Sequence, residues 1–285
     1  MFKFNFKWLQ KSILIIGFLS LFGAINAFAE IKGNNSFATA YSFGYWEYHS
    51  SGVTSLAANE NDAFYSFRVN AGDRVYVRLG IGSEYIGSGI NLQIFNSNKQ
   101  KITEPNSTII SSSLPFIFDN VDGSLQGQTF YIKVNRGNYV GNMVFVMGIE
   151  KRIYSSNGTY DFIGISSNPG NPNILTNPNG IDSSIITMDL TNKSTIPVGA
   201  IVKSITTSGS VYPSKGGILH KISSNQDNIW HTATVEGSGY NINVSNALKV
   251  KQIWSFRYNQ KAMGASTMKN VKANINYEYD VTEGF

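Results

Sequence analysis

The sequence predicts an all-β protein: two β-sandwich domains, jelly-roll-like, in tandem behind a cleaved N-terminal signal peptide. Three observations carry that expectation. Short runs of alternating apolar and polar residues recur along the chain, separated by clusters of Gly, Asn, Ser and Asp. Beyond residue 29 no helical periodicity persists past about two turns. Charged residues make up only 14% and aromatics 13%, with 27 Gly, a balance closer to extracellular all-β modules than to helical enzymes.

The first 29 residues read as a targeting segment. Lys3, Lys7 and Lys11 form a positive start, Ser12 to Phe22 an apolar core, and Ala27-Phe28-Ala29 a small-x-small cleavage site before Glu30. That apolar run is shorter than the roughly 20 residues needed to span a bilayer, so the expectation is a secreted, extracellular chain with no transmembrane segment. The formal charge of +5 includes those three lysines, which leaves +2 after cleavage. So small an excess gives no compositional support to nucleic-acid binding. The absence of cysteine removes disulfides, thiolate metal sites and cysteine nucleophiles together.

Four segments are expected: 1–29 as signal peptide, 30–152 as a first sandwich, 153–182 as linker or loop, and 183–285 as a second sandwich. The clearest grammar lies between Asn59 and Leu79. Tyr65, Phe67 and Val69 alternate with Ser66 and Arg68; Val75, Val77 and Leu79 alternate with Tyr76 and Arg78; Asn70-Ala71-Gly72-Asp73 between them is turn chemistry. A hairpin is the expectation. Asn91 to Phe95, Phe116 to Phe118, Gln128 to Val134 and Met143 to Ile149 supply further strands.

Together with the opening Asn34-Asn35-Ser36-Phe37-Ala38-Thr39-Ala40, the Asn61-Asp62 lead into Phe64-Tyr65-Ser66-Phe67, and Phe130-Tyr131-Ile132-Lys133-Val134, this order of motifs resembles the bacterial pre-peptidase C-terminal domain over roughly residues 34–150. The resemblance implies a small sandwich that accompanies secreted enzymes. By analogy with collagenase members it also implies calcium, with Glu30, Asn34, Asn35, Asn59 and Asp62 as the oxygen ligands. Lys32, Asn35 and Asn59 stand where those members carry acidic residues, which lowers the carboxylate count available to the ion.

Four aromatics are candidate ligand-binding residues: Trp46 and Tyr48 in the run from Tyr41 to His49, and Trp230 and Trp254 in later strands. Exposed rings on a sheet offer large rigid area with a polar edge, suited to sugar rings or extended peptides. In the run itself, Tyr41, Phe43 and Tyr45 are expected to face the core.

Residues 155–180 concentrate Asn, Pro and Gly around one short strand, Tyr160 to Ile165. From Asp182 onward strands are expected at Ser184 to Leu190, Ala200 to Thr207, Gly217 to Ile222, Ile229 to Val235, Tyr240 to Val244 and Lys249 to Tyr258. The last, Val271 to Val281, places Val271, Ala273, Ile275, Tyr277, Tyr279 and Val281 on one face and Lys272, Asn274, Asn276, Glu278 and Asp280 on the other.

For catalysis, His220, Asp227 and His231 with Ser214 or Ser223 contain the residue types of a hydrolase triad, without a nucleophile elbow. Carboxylate pairs among Glu236, Glu278 and Asp280 have no readable separation. No catalytic residue is assigned. The expectation is a secreted, non-catalytic binding or adhesion protein whose partner is an extracellular protein or polysaccharide. The alternatives are a hydrolase with its site in the second half, and a pore-forming protein inserting an alternating segment such as Ser204 to Val211.

Overall fold

The structure is a computed structural model that describes residues 30–48, 52–111, 113–214, 216–234 and 239–285. The expected signal peptide, His49 and Glu236 lie outside them. The described chain is almost wholly β: helical turns are confined to short 3-10 segments at Trp46–Tyr48, Ser83–Tyr85, Val244–Asn246 and Val281–Gly284. It divides into two compact units after Glu150.

The first unit carries eight strands: β1 (Tyr41–Tyr45), β2 (Gly52–Leu56), β3 (Asp62–Val69), β4 (Arg74–Ile81), β5 (Asn91–Phe95), β6 (Phe116–Asp122), β7 (Gln128–Asn135) and β8 (Met143–Lys151). They form two four-stranded sheets, in the orders β1-β3-β7-β5 and β2-β8-β4-β6. Inward residues of both, among them Tyr65, Phe67, Val75, Val77, Ile132 and Phe145, make one apolar core, the packing that a half-buried sheet requires.

β3 and β4 are not hairpin partners. β3 pairs with β1 and β7, while β4 lies in the opposite sheet beside β6. Asn70 to Asp73 therefore crosses the sandwich as an arch. Its backbone is stitched instead to Gly123, by Gly72 N to Gly123 O at 2.9 Å and Gly123 N to Asp73 O at 2.8 Å. Alternation fixed each strand's inward face and was silent about the partner, because either pairing buries the same side chains.

The second unit carries β9 (Ile153–Asp161), β10 (Ser166–Asn168), β11 (Ile181–Asp182), β12 (Ile186–Asp189), β13 (Ile201–Tyr212), β14 (Ile218–Ser224), β15 (His231–Thr232), β16 (Ile253–Gln260) and β17 (Ser266–Asp280). One sheet is built on the 15-residue β17, with β13 along one edge and β9 and β10 sharing the other. The second sheet runs β11-β16-β14-β15, with β12 also on β16. Between them lie Trp254, Phe256, Tyr258, Val202, Ile205, Val271, Ala273 and Ile275.

Residues 153–182, expected as linker or loop, thus supply β9, β10 and β11. β9 pairs with β17 over nine positions, from Ile153 opposite Asp280 to Asp161 opposite Lys272. Its sequence, IYSSNGTYD, is polar enough to read as loop because one side faces water and the strand's apolar content is low. The expected strand at Tyr240 to Val244 is absent; Asn243 instead caps the 3-10 turn Val244–Asn246, accepting from Ser245 N at 2.9 Å.

Candidate functional site

The five residues suggested for calcium do not fit a calcium cage. Glu30 faces Lys32 Nζ at 2.5 Å, and that bond holds its carboxyl below the usual range. Asn34 is buried, its Nδ2 donating to Phe64 O at 2.8 Å while its own carbonyl accepts Phe64 N at 2.6 Å. Asn35 Nδ2 donates to Glu60 Oε1 at 3.2 Å. Asp62 accepts from Asn135 Nδ2 at 2.6 Å and meets Lys133 Nζ at 3.2 Å. Asn59 is exposed in the 57–60 turn. A cation needing six to eight oxygens would have to displace two lysines and a strand-anchoring amide. Among the described residues no cluster of three or more His, Cys, Asp or Glu is suited to a metal.

The candidate aromatics separate. Trp254 is fully buried in the second core, its Nε1 donating to Val250 O at 3.2 Å, so its expected role as a ligand contact is corrected to packing. Trp230 is half-buried beneath the Arg257 guanidinium, 4.0 Å from the ring centroid. β1 ends at Tyr45, after Gly44 takes a left-handed φ of 73°, so the strand alternation does not continue to Tyr48. Trp46 packs back on the first core, whereas Tyr48 is 83% exposed. In β1 itself Phe43 is buried but Tyr41 is exposed.

The catalytic residue types do not assemble in a working order. His220 is buried: its Nδ1 shares a hydrogen bond with Thr207 Oγ1 at 3.0 Å, Thr207 Oγ1 lies 2.6 Å from Tyr240 OH, and the imidazole packs edge-on against Phe256. Asp227 contacts His231 Nε2 at 2.9 Å and accepts Ser224 Oγ at 2.8 Å. The carboxylate stands between hydroxyl and imidazole. A hydrolase needs the imidazole in the middle, to take the hydroxyl's proton. Partial burial opposes ionisation of Asp227, yet bonds from His231, the Ile229 amide and Ser224 outweigh it and hold the group below its usual range. This is a braced turn ahead of β15. Asp280 is taken by Arg152 Nε at 2.9 Å. Ser204 to Val211 belongs to β13, paired along its length with β17.

What remains is an extended surface. The outward face of the β9-β17-β13 sheet presents Ser204, Thr206, Ser208 and Ser210 from β13, Lys272, Asn274 and Asn276 from β17, and Asn157 and Thr159 from β9. Register places them in rows: Thr159, Asn274 and Thr206; Asn157, Asn276 and Ser204. Within the rows Asn274 Nδ2 donates to Thr159 Oγ1 at 3.0 Å and Asn276 Nδ2 to Ser204 Oγ at 2.8 Å. From Ser204 to Tyr212 the face runs about 26 Å at the usual rise per strand residue. Two open depressions lie along this sheet. One, of about 520 Å³, is lined by Ser155, Asn157, Lys203, Ser204 and Asn276. The other, of about 570 Å³, is lined by Ser167, Pro169, Tyr212, Pro213 and Thr267.

Sequence reasoning found the polar side of β17 and the alternation in β13 but missed that they are neighbours, and it missed Tyr212. The only signal for the join was that both strands are long and polar on one side.

These features define an all-β sandwich protein with a long hydroxyl- and amide-rich sheet face. No family profile matches the chain. The uncharacterized protein YbdN of Bacillus subtilis (strain 168) is 41% identical over 287 residues, covering 98% of this chain and 99% of YbdN, and the chain belongs to the YbdN family. Among solved structures, the pre-peptidase C-terminal domain of a Bacillus anthracis collagenase aligns over 39% of this chain and 94% of that domain, at 14% identity and a TM-score of 0.29. A candidate secreted protein of Eubacterium rectale aligns over 86% of this chain and 81% of that one, at 10% identity and a TM-score of 0.33. Both scores fall below the level at which a common fold can be read. No helix among the described residues is long and apolar enough to cross a membrane.

Proposed function

We propose that this chain is an exported, non-catalytic binding protein that holds an extended extracellular polymer along the outward face of β9, β17 and β13. The observation that carries the reading is that face: rows of short polar side chains in strand register, about 26 Å long, with a depression towards each end. A polymer gains many modest contacts from such a surface, each worth about 0.5–1.5 kcal/mol as a net hydrogen bond. Ser, Thr and Asn lose little rotamer freedom when a ligand fixes them, compared with the long side chains that usually cover exposed sheets. The bonds from Asn274 to Thr159 and from Asn276 to Ser204 already hold two rows in place. The sequence's leader-like start supports export, and the Ser224-Asp227-His231 order weighs against hydrolysis.

The test is co-sedimentation of the chain from residue 30 onward with insoluble glucan, chitin, bacterial cell wall and fibrillar collagen. Retention on at least one, saturable and without release of soluble fragments, is expected. A chain that stays in solution with all four, or that cleaves the polymer it meets, would overturn the reading.

A further inference from the structure

We infer that the polymer is an uncharged polysaccharide and that one of its sugar rings stacks on Tyr212. This rests on the polymer-binding reading and adds its ligand class and its anchoring residue.

Tyr212 closes β13 and is 81% exposed, although a large aromatic at a strand end is ordinarily at least partly covered. Its backbone is held. Thr267 Oγ1 donates to the Tyr212 carbonyl at 3.3 Å, and Pro213 follows directly. The strand register sets Ser167, Thr267 and Tyr212 in one row across β10, β17 and β13, and the same three residues line the depression with Pro169 and Pro213. A pyranose has an apolar C–H face and a rim of hydroxyls. An exposed tyrosine ring with two prolines beside it and two hydroxyls within the row offers the matching surfaces, and a tyrosine loses little entropy on contact because it turns about only two bonds.

Charge argues for the ligand class. The lysines of this sheet surface, Lys203, Lys269 and Lys272, stand among the carboxylates Asp161 and Glu278, and Lys272 Nζ already faces Asp161 at 3.4 Å. The one arginine at the start of this sheet, Arg152, is buried against Asp280. An anionic polymer selects clusters of arginine and lysine with free donors. A protein partner selects several apolar anchors, and among the strand residues of this face Tyr212 is the one large apolar side chain that is strongly exposed, Ile153 and Ile201 being half-buried. A row of hydroxyls and amides that both donate and accept suits a ligand made of the same groups.

Native affinity electrophoresis of the residue 30–285 chain tests this, with soluble neutral glucan, xylan and mannan, anionic pectin and gelatin in separate gels. Retardation by at least one neutral polysaccharide is expected, with a Tyr212→Ala loss of tenfold or more in affinity, a Tyr212→Phe loss below threefold, and unchanged melting for both. Neutral-glycan binding that survives Tyr212→Ala overturns the anchor. Binding confined to pectin or gelatin, and lost in Asn276→Glu, overturns the ligand class while the polymer reading stands. Binding to none of them, in the gels and in co-sedimentation alike, removes both.

Discussion

Asp119 is the carboxylate most perturbed by the first unit. It sits on β6 opposite Val77 and accepts Thr103 Oγ1 at 3.2 Å, with Asn106 Nδ2 at 3.5 Å. Neither partner is a cation. Burial raises its pKa from 3.8 to about 6, against the two hydrogen bonds that lower it. For an acid raised in the folded state, the folded chain binds the proton more tightly, so stability is greatest below the unfolded pKa and declines as pH rises through the folded one. A shift of roughly two units at 1.36 kcal/mol each sets a ceiling of about 3 kcal/mol. Partial solvent access reduces this to about 1.5 kcal/mol. Asp119→Asn removes the charge and keeps an acceptor for one of the two donors. Urea unfolding at pH 7.5 is expected to show the variant more stable than wild type by about that 1.5 kcal/mol, with the gain gone at pH 4, where wild type is itself protonated. A variant equally destabilised at both pH values would refute the reasoning, since the hydrogen bonds and not the charge would then dominate.

Other consequences follow from single side chains. Arg136 is 3% exposed, and its Nη1 donates to the carbonyls of Ala57, Ala58 and Glu60 at 3.0, 2.7 and 2.9 Å, with Nη2 on Gly141 O; Arg136→Met should cost about 3 kcal/mol in urea unfolding, and a loss under about 1 kcal/mol would mean those carbonyls re-solvate freely. Trp254→Ala, in the second core, should cost about 4 kcal/mol by the same assay, whereas a near-neutral result would return Trp254 to the surface. Asp227 has a lowered pKa, so the stability difference between wild type and Asp227→Asn should be present at pH 7 and fade as pH falls through the carboxylate range and below; a difference that widens on acidification would contradict the braced turn. Millimolar calcium, compared with chelator, should leave the melting midpoint of the 30–285 chain within about 1 °C, because a ligand stabilises only through sites that exist in the folded state; a clear upward shift would restore the cage around Glu30, Asn34 and Asp62.

The strand faces were legible because period-2 alternation reports burial directly: Tyr65, Phe67, Val75, Val77, Ala273 and Ile275 all lie in the cores where the pattern put them. Pairing was not legible. Nothing in Asn70-Ala71-Gly72-Asp73 distinguishes a hairpin from an arch, and the bonds that decide it reach Gly123, some 50 residues away. β9 was missed for the opposite reason, since a solvent-facing edge strand carries loop-like residues such as Ser155, Ser156 and Asn157. Of the aromatic candidates Trp254 is lost to burial: tryptophan supplies the same ring to a core and to a ligand, and only packing shows that Trp254 is enclosed while Tyr48 and Tyr212 are bare. The polar rows required two strands more than 50 residues apart in sequence to be set side by side, which the register of β13 on β17 alone reveals.

The most direct measurement is a capture isotherm comparing wild type with the Thr206→Glu/Asn274→Glu double variant, on whichever polymer retains the chain. Both side chains lie outward in one row, so the cores stay intact and the melting midpoint should fall by only a few degrees, from the facing carboxylates and the lost bond to Thr159, while the affinity falls by at least tenfold, about 1.4 kcal/mol. Equal capture by the two proteins would place the polymer elsewhere and contradict the assignment of function to this sheet face.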